Sequence, residues 1–297
     1  MLYQATHTTR YLYEGPVSQC ISEARLTPRD CPGQVLHQFR LHVDPEPTVL
    51  ESRQDYFGNG VTAFAVFHPH ERFSATATSV VELQPGPAGT NTGSVAPQLA
   101  WEEARDRVAS HGNAGLLAAY EYIFDSPFVA WARELAEYAK PSFGAGRPLL
   151  DAVTELSHRI HEDFRYEPES TSIDMPLLEV FEHRRGVCQD FAHIMIGALR
   201  SMHLAARYVS GYLRSGAMYQ GADASHAWVS VYVPGAGWHD FDPTNDVRPT
   251  LGHITLGWGR DYSDVAPIKG IALGGGKQVV EVAVRVDPIE EGPRGRT

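Results

Sequence analysis

Two spacings of hydrophobic residues divide the chain. Over roughly the first 84 residues apolar and polar positions alternate, the period of strands with one buried face. In "VLHQFRLHV", Val35, Phe39, Leu41 and Val43 fall on one side and Gln38, Arg40 and His42 on the other. "FGNGVTAFAVF" sets Asn59-Gly60 between apolar residues, the signal of a type I′ hairpin. "RFSATATSVVEL" is again rich in β-formers. Further on the period lengthens, which predicts helices over Leu116–Phe124, Pro127–Tyr138, Pro148–Phe164 and Val187–His203. Strands return at Ala206–Leu213, Ala227–Val233 and Trp238–Asp242, and "KQVVEVAVRV" is expected to close the same unit. Between the two regimes "QPGPAGTNTGSVAP" (Gln84–Pro97) reads as a linker, and the final "EEGPRGRT" reads as a frayed tail. No repeat of solenoid period occurs. The expected organisation is a β-rich, sandwich-like region over 1–90 and a mixed α+β domain over 98–290.

Composition narrows the function. A chain of 297 residues with 43% hydrophobic and 21% charged residues suits a soluble globular protein with a sizeable core. A net charge of -11 excludes a general nucleic-acid binder, which needs clustered Lys and Arg. The start "MLYQATHTTRYLYEG" lacks a basic stretch followed by an apolar one, and no apolar run reaches about 18 residues, so neither a signal peptide nor a membrane span is expected. Cys20, Cys31 and Cys188 are odd in number and widely spaced, unlike a disulfide framework or a zinc site. A reducing cytoplasm is the simplest compartment.

The segment "RRGVCQDFAH" places Cys188 in the first turn of an expected helix. Phe191, Ile194, Met195, Ala198, Leu199 and Met202 form its apolar stripe, and Cys188 lies on the same side. Amides of a first turn lack intrahelical acceptors and the helix dipole is positive there, which favours a thiolate nucleophile. An ordinary buried thiol is an equally good account of this segment alone. "SHAWVSVYV" puts His226, Trp228, Ser230 and Tyr232 on one strand face and Ala227, Val229, Val231 and Val233 on the other. "GWHDFDPTN" adds Asp240 and Asp242, two apart and so on one face; spacing does not choose between them, and either can instead cap a turn with Thr244 and Asn245.

A cysteine, a histidine and an aspartate in this order, in "RRGVCQDFAH", "SHAWVSVYVPGAGWHDFDPTN" and "HITLGWGRDYSDVAPIKG", resemble the transglutaminase-like superfamily of papain-type cysteine enzymes. The early β region with "DYFGN" (Asp55–Asn59) resembles the N-terminal region of its bacterial members. The resemblance implies a papain/transglutaminase-like α+β core, a helix bearing Cys188 packed on an antiparallel sheet bearing His226 and Asp242. It also implies a nucleophilic Cys188, a base His226 and an orienting Asp242, acting on an amide or ester carbonyl through a thioester. Water would then hydrolyse the thioester, or an amine would capture it. The Cys188 amide is one expected oxyanion donor. No tryptophan stands between Trp131 and Cys188 where animal transglutaminases use one, so Tyr166 is the candidate second donor, with Gln189 and Trp228 as further neighbours. Nothing resembles a calcium loop of EF-hand spacing, and no cofactor is expected. The substrate class implied is a peptide, protein or small amide.

Other residues attract attention less strongly. His193 projects to the helix side opposite the apolar stripe, so direct pairing with Cys188 is not expected, and Asp190 suits the positive helix start. His158 and His161, and His68 and His70, are minimal metal pairs without a third ligand at His-Glu-x-x-His spacing. "LGGGKQ" (Leu273–Gln278) lacks the ending of a phosphate loop and reads as a turn. Cys20 and Cys31 read as inert thiols. Three alternatives to a thiol hydrolase stand: an inactive binding protein of the same fold, a protein-crosslinking transglutaminase, and a metal-dependent hydrolase.

Overall fold

The computed structural model describes residues 1–85, 98–168, 170, 175–216 and 219–289. All of the expected linker except Gln84 and Pro85, and the whole tail over 290–297, lie outside the described residues. The N-terminal region is built from β1 (Leu2–Ala24), β2 (Gln34–Asp44), β3 (Val49–Gln54), β4 (Gly60–Val66) and β5 (His70–Leu83). The first half of β1 pairs with β5 and its second half with β4. The register breaks between Leu12 and Val17, around Gly15 and Pro16, where proline has no N–H to give a ladder. One long strand thus joins the two halves of a single seven-stranded sheet. Phe64, Phe73, Ala75, Ala77, Val43 and Leu26 pack together with Tyr11 and Tyr13.

Two local expectations differ from the observed strands. A bulge between Leu36 and Gln38 changes the phase of β2, so Leu36 turns inward while Val35 is 39% exposed. Strict alternation through "VLHQFRLHV" misses that inserted residue. Strands β3 and β4 do form a hairpin, but Gln54 pairs with Gly60, and the loop is Asp55–Asn59 rather than a two-residue Asn59-Gly60 turn. The Asp55 carboxylate accepts the amides of Phe57 and Asn59, and Gly58 supplies the left-handed residue at φ +74°.

The second unit contains α1 (Trp101–Ala109), α2 (Ala114–Tyr120) continuing into a 3₁₀ turn, α3 (Arg133–Ala139), α4 (Leu149–Asp163), β6 (Arg165–Tyr166), α5 (Leu177–His183), β7 (Arg185–Gly186) and α6 (Cys188–Ser201). It continues through β8 (Ala206–Leu213), β9 (His226–Val233), β10 (Gly237–Phe241), β11 (His253–Gly259) and α7 (Tyr262–Val265). Helix α3 begins six residues after the expected Pro127. The preceding stretch is held as a turn: Ser126 and Val129 exchange backbone bonds, Asp125 accepts from Trp131 N–H, and Asp261 accepts from Phe128 N–H. Sheet order is β10-β9-β8-β11, all antiparallel. Ala227, Val229, Val231 and Val233 pack against α6, which α3, α4 and α5 cover from behind. Helix α6 is therefore buried nearly all round, and Gly197 is where Leu135 of α3 comes within 2.6 Å of a would-be Cβ.

The last strands, β12 (Ile268–Gly274) and β13 (Gln278–Pro288), correct the expected ending. Both pair with β1 and complete the N-terminal seven-stranded sheet instead of closing the second unit. Gly274, Gly275 and Gly276 all take positive φ between them, so "LGGGKQ" is the turn of this hairpin. Side chains also tie the two units. Edge strand β11 receives the Gln34 amide, which accepts from Thr255 N–H and donates to Thr255 C=O at 2.8 and 2.7 Å. Asn59 does the same for Trp258 at 3.0 and 2.9 Å.

Candidate active site

The segment carrying Cys188 is shaped by a short parallel ladder. Tyr166 of β6 pairs with Gly186 of β7, and Glu167 N–H donates to Gly186 C=O at 2.9 Å. Two residues later the chain enters α6, with Cys188 its first residue. Asp190 folds back and accepts from Val187 N–H at 2.8 Å. This is why a glycine precedes the cysteine by two positions: a Cβ on Gly186 would lie 2.5 Å from the Asp190 carboxylate and 2.8 Å from its Cβ. Cys188 itself is 8% exposed and its thiol points at the Ser225 carbonyl, 3.9 Å away.

Ser225 immediately precedes His226, the first residue of β9, so the sheet's end delivers the imidazole to the helix's end. His226 Nε2 donates to Asp242 Oδ2 at 2.8 Å, with both side chains fully buried. Nδ1 is left for Cys188, whose sulfur interacts with the ring though it is not in hydrogen-bond geometry with it. Burial alone would depress the imidazole, but the Asp242 carboxylate and then Cys188 outweigh it and raise His226 to about 10. Against the same burial, His226 and His253 hold the Asp242 carboxyl well below the usual carboxylate range. Asp242 sits just beyond β10, where Pro243 ends the strand and Oδ1 accepts the amides of Thr244 and Asn245 at 3.0 and 3.2 Å. It thus caps its own turn and holds the histidine at once; the two readings of "DPTN" are not exclusive. Asp240, two residues earlier in β10, lines a cavity with Cys31, Trp238 and His253.

The other expected residues occupy distinct places. Burial, with Cys188 and Asp242 nearby, raises the Tyr166 hydroxyl to about 12, so it remains a proton donor at neutral pH. The Tyr166 hydroxyl and His226 Nδ1 both stand 3.2 Å from a would-be Cβ on Gly221, where the β8–β9 loop crosses over them at φ +83°. Gln189 is half-buried in the first turn and makes no side-chain hydrogen bond among the described residues. Trp228 lies on the sheet face away from α6, fully buried, its ring 6.2 Å from His226 and 5.4 Å from His253. It walls the histidines and does not reach the sulfur. His193 is buried behind α6, stacked on Phe128 at 5.6 Å and accepting from Tyr262 N–H, and burial pushes it down to about 4. His158 binds Asp246 and His161 binds the Thr244 carbonyl, so both brace the loop that follows Asp242. His70 binds the His68 backbone. Among the described residues no three His, Cys, Asp or Glu side chains converge as metal ligands, and no helix is long and apolar enough to cross a membrane.

Sequence reasoning gave no role to His253 and gave Asn245 only a place in a turn capped by aspartate. His253 Nε2 donates to Asp242 Oδ2 at 3.2 Å, and Asn245 donates to the same oxygen at 2.8 Å. Asn245 also accepts from Gln220 N–H at 2.8 Å, which ties the covering loop to the carboxylate. Both residues lie in the quoted segments; Asn245 meets Asp242 within the turn that the aspartate caps, whereas His253 reaches it only through the return of β11 alongside β8.

Comparison with known proteins agrees with this architecture. Residues 3–82 match the bacterial transglutaminase-like N-terminal region, and residues 136–243 match the transglutaminase-like superfamily core. An uncharacterized protein of Mycobacterium tuberculosis is 39% identical over 97% of this chain and 93% of its own length. One from Mycobacterium leprae is 34% identical over 95% and 97%. The crystal structure of a suspected cysteine protease from Cytophaga hutchinsonii shares the fold with a TM-score of 0.77 at 21% identity, over 98% of this chain and 92% of that one. The chain belongs to the transglutaminase-like superfamily, with the bacterial N-terminal region preceding its core.

Proposed function

We propose that the protein is a cysteine-dependent hydrolase of peptide or amide bonds, working through a thioester on Cys188. The observation that carries this reading is the buried His226–Asp242 pair at 2.8 Å, whose remaining ring nitrogen is left to a thiol at a helix start. The Cys188 proton passes to His226 Nδ1 and the sulfur attacks the carbonyl carbon. Negative charge then develops on the carbonyl oxygen, within reach of the Cys188 amide; the Tyr166 hydroxyl is the candidate second donor. Loss of one such donor costs about 2.7–4 kcal/mol of barrier. His226 returns the proton to the leaving amine as the thioester forms. Water, deprotonated by His226, then attacks the thioester and releases the acid and the thiol. An amine in place of that water would make the same centre an acyltransferase, and hydrolysis is preferred because no dedicated acceptor site is evident among the described residues.

The test is turnover of peptide and amide libraries by the native protein and Cys188→Ala, with and without an added primary amine. Hydrolysis products that vanish in the variant support the proposal, and amine-coupled products redirect it to transfer. Native-like turnover in Cys188→Ala would exclude thiol chemistry.

A further inference from the structure

Asp242 is held by more donors than the orientation of one imidazole requires. Oδ1 takes the amides of Thr244 and Asn245; Oδ2 takes His226 Nε2 at 2.8 Å, Asn245 Nδ2 at 2.8 Å and His253 Nε2 at 3.2 Å. An ionised carboxylate only accepts, so both histidines present a proton at Nε2. That places a proton on His253 Nε2, and its Nδ1, also buried, has no hydrogen-bond partner among the described residues. The ring has little freedom to leave. It is 5% exposed, set edge-to-face against Trp228 at 5.4 Å and 89°, with Tyr219 on another side at 5.5 Å. Its backbone is pinned at the start of β11, where His253 pairs with Leu213. The ionisable groups that face it are Asp242, His226 and Tyr219, with Asp240 and Cys31 across the cavity that it also lines. Trp228 also stacks beside His226, so one indole spaces the two imidazoles that share a single oxygen.

From this geometry we infer that His253 is a positioning residue for the proposed thiol chemistry. Its Nε2–H fixes Asp242 Oδ2 in the direction of His226 and shares the carboxylate's charge, so the proton between Asp242 and His226 stays on the imidazole. The role rests on the reading of Cys188 and His226 given above. It is also separate from mere packing, because it requires an N–H at one position and not an aromatic ring.

The two requirements separate in a pair of substitutions. His253→Phe keeps a planar ring and removes the donor, whereas His253→Gln keeps a terminal N–H at comparable reach and removes the ring. The measurement is the rate of iodoacetamide alkylation of Cys188, resolved by mass spectrometry from Cys20 and Cys31, together with thermal stability. At pH 7 His253→Phe is expected to alkylate about tenfold or more slowly than the native protein, the scale of one hydrogen bond to a charged group. His253→Gln is expected to recover most of that loss. Equal losses in both variants, or none in His253→Phe, would overturn the inference. If His253→Phe does not fold, His253→Asn, whose amide is too short to reach Oδ2, takes its place against His253→Gln with the same outcomes. A native protein whose Cys188 reacts no faster than its other thiols would sink the thiol mechanism itself, and the positioning role with it. Preferential labelling of Cys188 with indifferent His253 variants sinks only the positioning role.

Discussion

Replacing Asp242 by asparagine changes one atom and reverses the logic of the site. Oδ1 accepts two backbone amides, so the asparagine oxygen is drawn to that side and its NH₂ turns to where Oδ2 receives three donors. His226 and His253 can each answer by moving their proton from Nε2 to Nδ1, but Asn245 Nδ2 then faces another amide with nothing to accept its proton. For His226 the switch places N–H toward Cys188, the wrong tautomer for a base that must take the thiol proton. The same change in a Ser-His-Asp hydrolase costs about 10⁴ in turnover, so a fall of roughly 10³–10⁴ is expected here. Stability falls as well. One charge-assisted bond becomes a donor-donor contact and others weaken, at about 1.5–3 kcal/mol for a bond to a charged group, so roughly 2–4 kcal/mol is lost in total. Without the carboxylate, only Cys188 is left to oppose burial, and the affinity of His226 for a proton falls from about 10. The imidazolium that stabilises negative charge on the sulfur is then less populated at pH 7. The assay is the rate of Cys188 alkylation between pH 5 and 10 in native protein and Asp242→Asn, followed by turnover once a substrate is in hand. Rates within a few-fold of each other across that range would refute the reasoning, because they would show that the sulfur does not depend on the charge held behind His226.

Further outcomes follow from other contacts. The His226–Asp242 interaction stabilises the fold most between about pH 4 and 6.5, above the unfolded carboxylate value and below the unfolded imidazole value. Because His226 is raised, its share is lost as pH climbs toward about 10, and because Asp242 is depressed, its share is lost on acidification, so the Tm gap between native protein and His226→Phe should narrow at both ends. Burial pushes Cys31 up to about 11 and also raises Cys20, so mass-resolved alkylation of both at pH 7 should be slow and should accelerate with pH. Gly186→Ala forces the Asp190 carboxylate off Val187, losing a cap worth about 1 kcal/mol and adding about 1–3 kcal/mol of overpacking, visible as a lower urea midpoint; an unchanged midpoint would contradict the contact. Asn59→Ala leaves Trp258 N–H and C=O unpaired at about 1–3 kcal/mol each, and a Tm equal to the native one would show that the two units do not need this tie.

Much of the fold was legible because long elements repeat their period many times. The stripe from Cys188 to Met202 and the alternation from His226 to Val233 both appear where the sequence puts them. The failures are local and have causes. Alternation in β2 is interrupted by one bulged residue, and "SPFVAWA" is a turn bonded to Asp125 and Asp261 that buries only Val129 and Ala132, not a helical face. Helix α1 was missed because only Trp101, Ala104 and Val108 of its nine residues are buried, too few to stand out among the charges. The largest misreading concerns "KQVVEVAVRV". A strand carries no mark of which sheet it joins, and this one travels from the end of the chain back to its beginning. For the site, order along the chain brought Cys188, His226 and Asp242 to notice, whereas His253 and Asn245 gain their meaning only from the oxygen they share.

That shared oxygen also explains why the N-terminal region belongs to the site's physics and not only to its surroundings. Strand β11 begins with His253 and is the outer strand of its sheet, with one row of backbone groups unpaired by any strand of its own unit. A strand left so would be free to fray or to pair with another chain. Gln34 and Asn59 supply the missing neighbour at Thr255 and Trp258, each amide both accepting and donating, as a paired residue of an adjacent strand does. Gln34 lies in β2 and Asn59 just before β4, so the sheet that β12 and β13 complete clamps the strand whose first residue reaches Asp242. The clamp begins two residues beyond His253. A shift of β11 by one residue would turn its side chains to the other face and carry His253 away from the carboxylate. The register of that strand is therefore set partly by a region that carries neither Cys188 nor His226.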